Sequence, residues 1–128
     1  MTQHQSHSQI IAQQNDRFRQ SYMIIADPVC LHLSNRSNLA GEVFITDGIS
    51  ALDCEEQNKI FQAVHSFDNF NPDNDPYGEY DFGVIEIVGH KVFWKIDYYD
   101  PSRTYGSEVP HDPAQTYRVL TIMLSSEY

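Results

Sequence analysis

The stretch from Phe82 to Tyr99, FGVIEIVGHKVFWKIDYY, constrains the fold more than any other part of the chain. Apolar residues alternate with others on both sides of a central glycine, the period-two pattern of two strands joined by a tight turn. With Gly89-His90 as the turn, glycine first as a type II′ turn requires, the opposed pairs are Ile87 with Val92, Ile85 with Trp94 and Gly83 with Ile96. That face is wholly apolar. The other face pairs Glu86 with Phe93, Val84 with Lys95 and Phe82 with Asp97, a mixed surface that is at least partly exposed. A slip of one residue would turn every apolar side chain to the wrong face, so the hairpin supplies one wall of a core. Tyr98 shares the parity of Val92, Trp94 and Ile96 and is assigned to that wall.

Elements that could cover this wall lie on both sides of it. From about Gln9 to Tyr22, Ile10, Ile11, Gln14 and Phe18 fall near one helical face, while Gln13, Asn15, Asp16 and Arg19 fall elsewhere. The run YMIIA either extends this helix or opens a strand before Asp27-Pro28. Val29, Leu31 and Leu33 alternate with Cys30 and His32, and EVFITDG alternates again, giving two short strands around a loop. A second helix is expected from about Cys54 to Phe67, because Asp53 and Glu56 form a capping-box pattern ahead of the stripe Ile60, Phe61, Val64 and Phe67. Asp112, Pro113 and Gln115 signal the start of a last helix burying Tyr117, Leu120, Met123 and Leu124. Its competitor is a strand, since YRVLTIML is rich in β-formers and apolar on both faces. The expectation is a disordered tail over residues 1–8 and one α+β domain over 9–128. It has an antiparallel sheet of about four strands and three helices packed mainly on one face.

A chain of 128 residues buries roughly two-thirds of its unfolded surface and needs no covalent staple. No apolar run approaches the ~20 residues that span a bilayer, and the start MTQHQSHSQ lacks the basic and apolar regions of a secretory signal, so a cytoplasmic location is expected. Cys30 and Cys54 are then reduced thiols. Of the formal charge of −10, residues 47–100 carry −9, from twelve acids and three bases. Such a field repels phosphates and anionic lipid, which argues against direct nucleic-acid or membrane binding.

The acids have a structural explanation in part. Five of the six prolines follow Asp or Asn, at 27-28, 71-72, 75-76, 100-101 and 112-113, a pairing that marks turns. Asp73-x-Asp75-x-Tyr77-Gly78 resembles the opening of a calcium loop, but Tyr77 and Val84 occupy positions that need an oxygen ligand and a bidentate glutamate. Glu86, Lys95 and Asp97 lack the acid-x-lysine element of a metal-dependent nuclease, because Phe93 precedes Lys95 where the acid belongs. Cys30 and His32 are two ligands without a third, and Cys54, in the first turn of a helix, has Glu55 and Glu56 opposing its ionisation. No metal, cofactor or catalytic residue is assigned. What remains is an acidic aromatic surface of Asp68, Asp73, Asp75, Tyr77, Glu79, Tyr80, Asp81, Asp97, Tyr99 and Asp100. Tyrosines give contact area at low entropic cost, and carboxylates steer a basic partner.

At NDPYGEYDFG (Asn74 to Gly83), FWKIDYYD (Phe93 to Asp100) and RVLTIMLSSEY (Arg118 to Tyr128) the chain resembles the bacterial domain-of-unknown-function family 3768. The likeness extends more weakly through ITDGISAL to NDRFR in the first helix, and the region from Asp27 to Asn38 is longer than the family pattern. The resemblance implies a small protein of proteobacterial genomes and mobile elements, and carries no activity with it. The leading expectation is a non-enzymatic acidic interaction protein that occupies a basic or nucleic-acid-binding surface on another protein, for instance in a CRISPR or restriction complex. The alternatives are a small enzyme or ligand-binding domain with a carboxylate site between the acidic loop and the hairpin, using Asp81, Asp97 or Asp100, and a toxin-neutralising module.

Overall fold

The structure, a computed structural model, describes residues 5–26 and 31–128. Residues 1–4 of the expected tail, the Asp27-Pro28 turn, Val29 and Cys30 lie outside the described residues, and with them the pairing of Cys30 with His32. The first helix, α1 (His7–Gln20), starts two residues earlier than its apolar pattern, because Ser6 caps it. The Ser6 hydroxyl accepts from the Gln9 amide (3.2 Å) and the Gln9 side chain accepts from the Ser6 amide (2.9 Å), so two orphan donors are satisfied reciprocally. The run after it is a strand: β1 (Met23–Ala26) pairs antiparallel with β2 (Leu31–Ser34) in a separate two-stranded ribbon.

The second amphipathic helix forms as its cap and stripe predict. The order is β3 (Gly41–Ile45), a single turn α2 (Asp47–Ser50) and α3 (Cys54–His65), whose first turn is capped by Asp53 accepting from the Glu56 amide at 2.8 Å. Its far end is closed by a side chain from α1. Arg19, fully buried, donates to the carbonyls of Val64 (2.7 Å) and His65 (3.2 Å), placing a cation at the negative end of the α3 dipole. The same guanidinium lies 4.9 Å from the Trp94 ring and is held by Asp16 at 2.9 Å.

The main sheet has the order β3-β6-β5-β4, with β4 (Phe82–Ile87), β5 (His90–Tyr99) and β6 (Tyr117–Leu124). The α+β class holds, with two corrections. First, the sheet is mixed: β4–β5 and β5–β6 are antiparallel, whereas β3 and β6 run parallel. Second, the expected last helix is the strand β6. Asp112 does cap, accepting from the Ala114 amide at 2.9 Å, but only a single 3-10 turn follows (Pro113–Gln115) before Thr116 becomes extended. Strands flank β6 on both sides, and apolar residues on both its faces suit that position, so the β-forming run overrides the start signal.

The hairpin also differs in register. Gly83 faces Trp94, Ile85 faces Val92 and Ile87 faces His90, so the turn is Val88-Gly89. Both turn residues have positive φ (50° and 80°), the geometry of a type I′ turn rather than II′. Moving the turn by one residue slides the pairing by two, which preserves the faces. The indole explains the choice, because a Cβ on Gly83 would stand 2.3 Å from Trp94 Nε1. Only a residue without a side chain fits opposite the ring.

One face of the sheet carries the core. Val92, Trp94, Ile96, Leu120 and Ile122 meet Phe18 and Tyr22 after α1, Ile49 of α2, and Ile60, Phe61 and Val64 of α3. Full burial of each large apolar side chain contributes about 1.5–3 kcal/mol. Among the described residues, no α-helix lies over the opposite face, where the 3-10 turn Ser125–Glu127 and Tyr128 cover one part.

Candidate interaction surface

The acidic loop between α3 and β4 is braced by its own polar side chains. Asn71 Oδ1 accepts from the amides of Asp73 (2.9 Å) and Asn74 (3.2 Å), and Asn74 ties back to the Asn69 carbonyl (2.8 Å). Asp75 Oδ1 accepts from the amides of Glu79 (2.9 Å) and Tyr80 (3.2 Å). Asp100 likewise accepts from Ser102, Thr104 and Tyr105. All four described Asx-Pro pairs therefore spend a side-chain oxygen on the turn that follows, which is the structural role their spacing indicates.

The ten surface candidates separate into distinct groups. Asp68 and Asp73 are exposed on the loop, and Tyr77 projects from it with 78% of its surface free. Asp75 departs from the expectation, since it is only 7% exposed and its oxygen closes a turn. Tyr80 is held inward, stacked on Phe70 with ring centroids 4.2 Å apart, while Phe70 leans edge-on against Trp94. Asp97 and Tyr99 point to the other face of the sheet, where Asp97 pairs with Lys95 at 2.9 Å. The hydrogen bond from Ser102, followed by those of the loop amides, holds the Asp100 carboxyl below its ordinary range.

Glu79 and Asp81 converge on Tyr98, beneath the loop. The phenol accepts from Asn15 Nδ2 at 2.7 Å and lies 3.4 Å from Glu79 Oε1 and 3.5 Å from Asp81 Oδ2. Asn15 is fully buried and also donates to the Glu79 carbonyl (2.9 Å), while its Oδ1 accepts from Arg118 Nε (2.9 Å). Arg118 reaches Gln14 and the Pro110 carbonyl as well. Desolvation raises the Glu79 carboxyl, aided by Asp81, and raises Asp81, aided by Asp75. Desolvation also raises the Tyr98 phenol and draws Arg118 down to about 10, so both keep their protons at neutral pH.

Asn15, Arg19 and Arg118 escaped the reading of the sequence because periodicity assigns polar residues to solvent. Their only signal was membership of the NDRFR and RVLTIMLSSEY blocks. The sequence model described as "Protein of unknown function (DUF3768)" matches residues 45–127, more than half of the chain. The chain belongs to this family. The DUF3768 span contains the braced loop, the hairpin and Arg118, whereas Asn15, Arg19 and the 27–38 segment lie before it. No curated protein and no solved structure matches the chain. Among the described residues, no helix is long and apolar enough to cross a membrane.

Proposed function

We propose that the chain is a non-enzymatic, cytoplasmic interaction module. It engages the basic surface of a protein partner through Tyr77, Asp68 and Asp73. One concrete form is a protein of a bacterial mobile element that blocks the nucleic-acid-binding surface of a CRISPR or restriction complex. The observation that carries this reading is Tyr77, 78% exposed on a loop whose shape is fixed by internal hydrogen bonds, so that little ordering cost remains on binding. Charge distribution supports it. Of eight Lys and Arg residues, Arg19 and Arg118 are wholly buried, which leaves the surface more acidic than composition alone implies.

The test is site-specific photo-crosslinking in host lysate at low salt, with the probe at Tyr77 and, as a control, at Tyr105, which is 72% exposed on another loop. The expected result is a discrete adduct with a basic protein from position 77 alone, lost on Asp68→Lys with Asp73→Lys and fading as salt screens the steering field. Identical adducts from both positions, or indifference to charge reversal, would sink the reading.

One observation favours a second reading, a carboxylate site beneath the loop: Glu79 and Asp81 are both raised around the Tyr98 hydroxyl. Asp97, in an ion pair, and Asp100, held ionised by its turn, do not suit that role. Soaking with small amines or alcohols and following the Asp81 carboxyl by NMR would test it. A titration unmoved by any of them would count against it.

A further inference from the structure

We propose that the open face of the four-stranded sheet is the surface through which two copies of this chain pair, independently of the loop that carries Tyr77. Among the described residues, the three α-helices pack on one face of the sheet. On the other, Phe44 on β3 is 51% exposed, Val84 on β4 is 36% exposed and Tyr128 is 75% exposed. Between Phe44, Tyr99 and Tyr128 lies a shallow concavity of about 750 Å³, open along the face. Phe82, Phe93 and Tyr128 extend the aromatic surface in edge-to-face contacts at 5.3–6.1 Å. A contiguous patch of exposed and half-buried aromatics of this kind marks a protein contact rather than ordinary surface.

The polar groups of this face decide what covers it. Lys95 is paired with Asp97 at 2.9 Å, Glu86 stands opposite Lys91 in the hairpin, and Arg103 lies 4.3 Å over the Tyr117 ring. Glu127 accepts from Thr46 (2.6 Å) and from the amides of Gly48 and Leu124 (both 2.9 Å). A small-molecule site needs convergent polar groups free to orient its ligand. Here Lys95, Asp97, Arg103 and Glu127 are already engaged within the chain, which suits a broad apolar contact instead.

Charge then selects a second copy. Four carboxylates on the face (Glu42, Glu86, Asp97 and Glu127) meet three cations (Lys91, Lys95 and Arg103), a net of −1 in a chain of −10. Copies of so acidic a chain repel each other across most of their surface. On this face the signs balance, and a surface of interspersed acids and bases is complementary to itself across a two-fold axis. A strongly basic partner gains nothing here that the acidic loop does not offer better.

Salt separates this contact from the proposed loop contact. Screening weakens attraction between the acidic loop and a basic partner, but it relieves repulsion between two acidic copies. Sedimentation equilibrium over about 1–300 µM, a range that captures weak dimers, is therefore run at low and high salt. The expected result is a monomer–dimer equilibrium that tightens with salt, and a dimer weakened about tenfold or more by Phe44→Glu and by Val84→Glu. Tyr77→Glu is expected to leave it unchanged. Val84 lies on the edge strand opposite Phe44, so if circular dichroism shows that one variant fails to fold, the other decides. A monomer at every concentration and both salts, or a dimer indifferent to the folded variants, would overturn the proposal. Neither outcome touches the crosslinking result at Tyr77.

Discussion

Asn15 is the residue on which the buried polar network of Tyr98 and Arg118 converges. It accepts from Arg118 and donates to Tyr98 and to the Glu79 carbonyl, joining α1 to β5, β6 and the acidic loop without any exposure to water. Asn15→Ala leaves the buried Arg118 guanidinium without its Nε acceptor, and a stranded buried charge costs several kcal/mol; we expect a loss of about 3 kcal/mol. Arg118→Met alone leaves Gln14 and Asn15 without their donor, but replaces a desolvated charge by an apolar side chain of similar length. Because the two residues act as one unit, the double variant should cost about 1–3 kcal/mol less than the sum of the singles. Urea unfolding of the four proteins measures this coupling, and simple additivity would show that the network does not behave as one. The same residues mark a limit of reading sequence by hydrophobic pattern. Asn15 and Arg19 occupy helical positions that polarity assigns to solvent, and Arg118 sits inside an apolar strand, yet all three are fully buried because each finds complementary partners far along the chain. The Asx-Pro turns were legible because their chemistry is local, spanning two to five residues.

At the scale of elements, Val88 is the place where local preference and tertiary packing disagree. The turn needs positive φ at both residues, and Val88 holds φ 50° although a β-branched side chain is strained there by about 1–2 kcal/mol. Its partial burial against the core offsets some of that cost. Val88→Asn should restore the Asn-Gly sequence favoured by type I′ turns, for a net gain of about 0.5–1 kcal/mol. This would appear as a higher urea midpoint with an unchanged slope; a lower midpoint would mean that core contacts outweigh backbone strain. That conflict also explains why the hairpin was only half legible. Alternation fixes the face of Ile85, Ile87, Val92 and Trp94, and any slide by two residues satisfies it. The choice among such slides comes from Gly83 beneath the indole, a contact that alternation does not encode. For β6 a local start signal at Asp112 competed with β-forming residues, and the sheet on both sides decided for the strand. The parallel pairing of β3 with β6 joins segments far apart in sequence, and no local pattern announces it.

For the whole molecule, the carboxylates set opposing trends of stability with pH. Glu79 and Asp81 are raised, chiefly by desolvation and then by neighbouring carboxylates, so the folded state holds their protons more tightly than the unfolded chain does. Ionising them at neutral pH costs stability, and that cost is relieved as pH falls through their folded-state values; below the ordinary values of 3.8 and 4.5 nothing more is gained. Asp100 and Glu127 are lowered, in each case first by a hydroxyl hydrogen bond, and act in the other sense. Their contribution is complete above the ordinary carboxylate range and is lost as pH falls through their depressed values. Self-repulsion in a chain of −10 also relaxes as carboxylates take up protons. The melting temperature should therefore pass through a maximum on the acid side of neutrality and decline on both sides. Asp81→Asn separates the terms, because the amide keeps the shape and removes the ionisation. Its melting temperature should exceed that of the parent at pH of about 7.5, and the advantage should vanish at about 2.5, where the parent carboxyl is protonated in both states. An advantage of equal size at both pH values would mean that Asn at position 81 stabilises by contact alone, and that the cluster around Tyr98 carries no proton-linked strain.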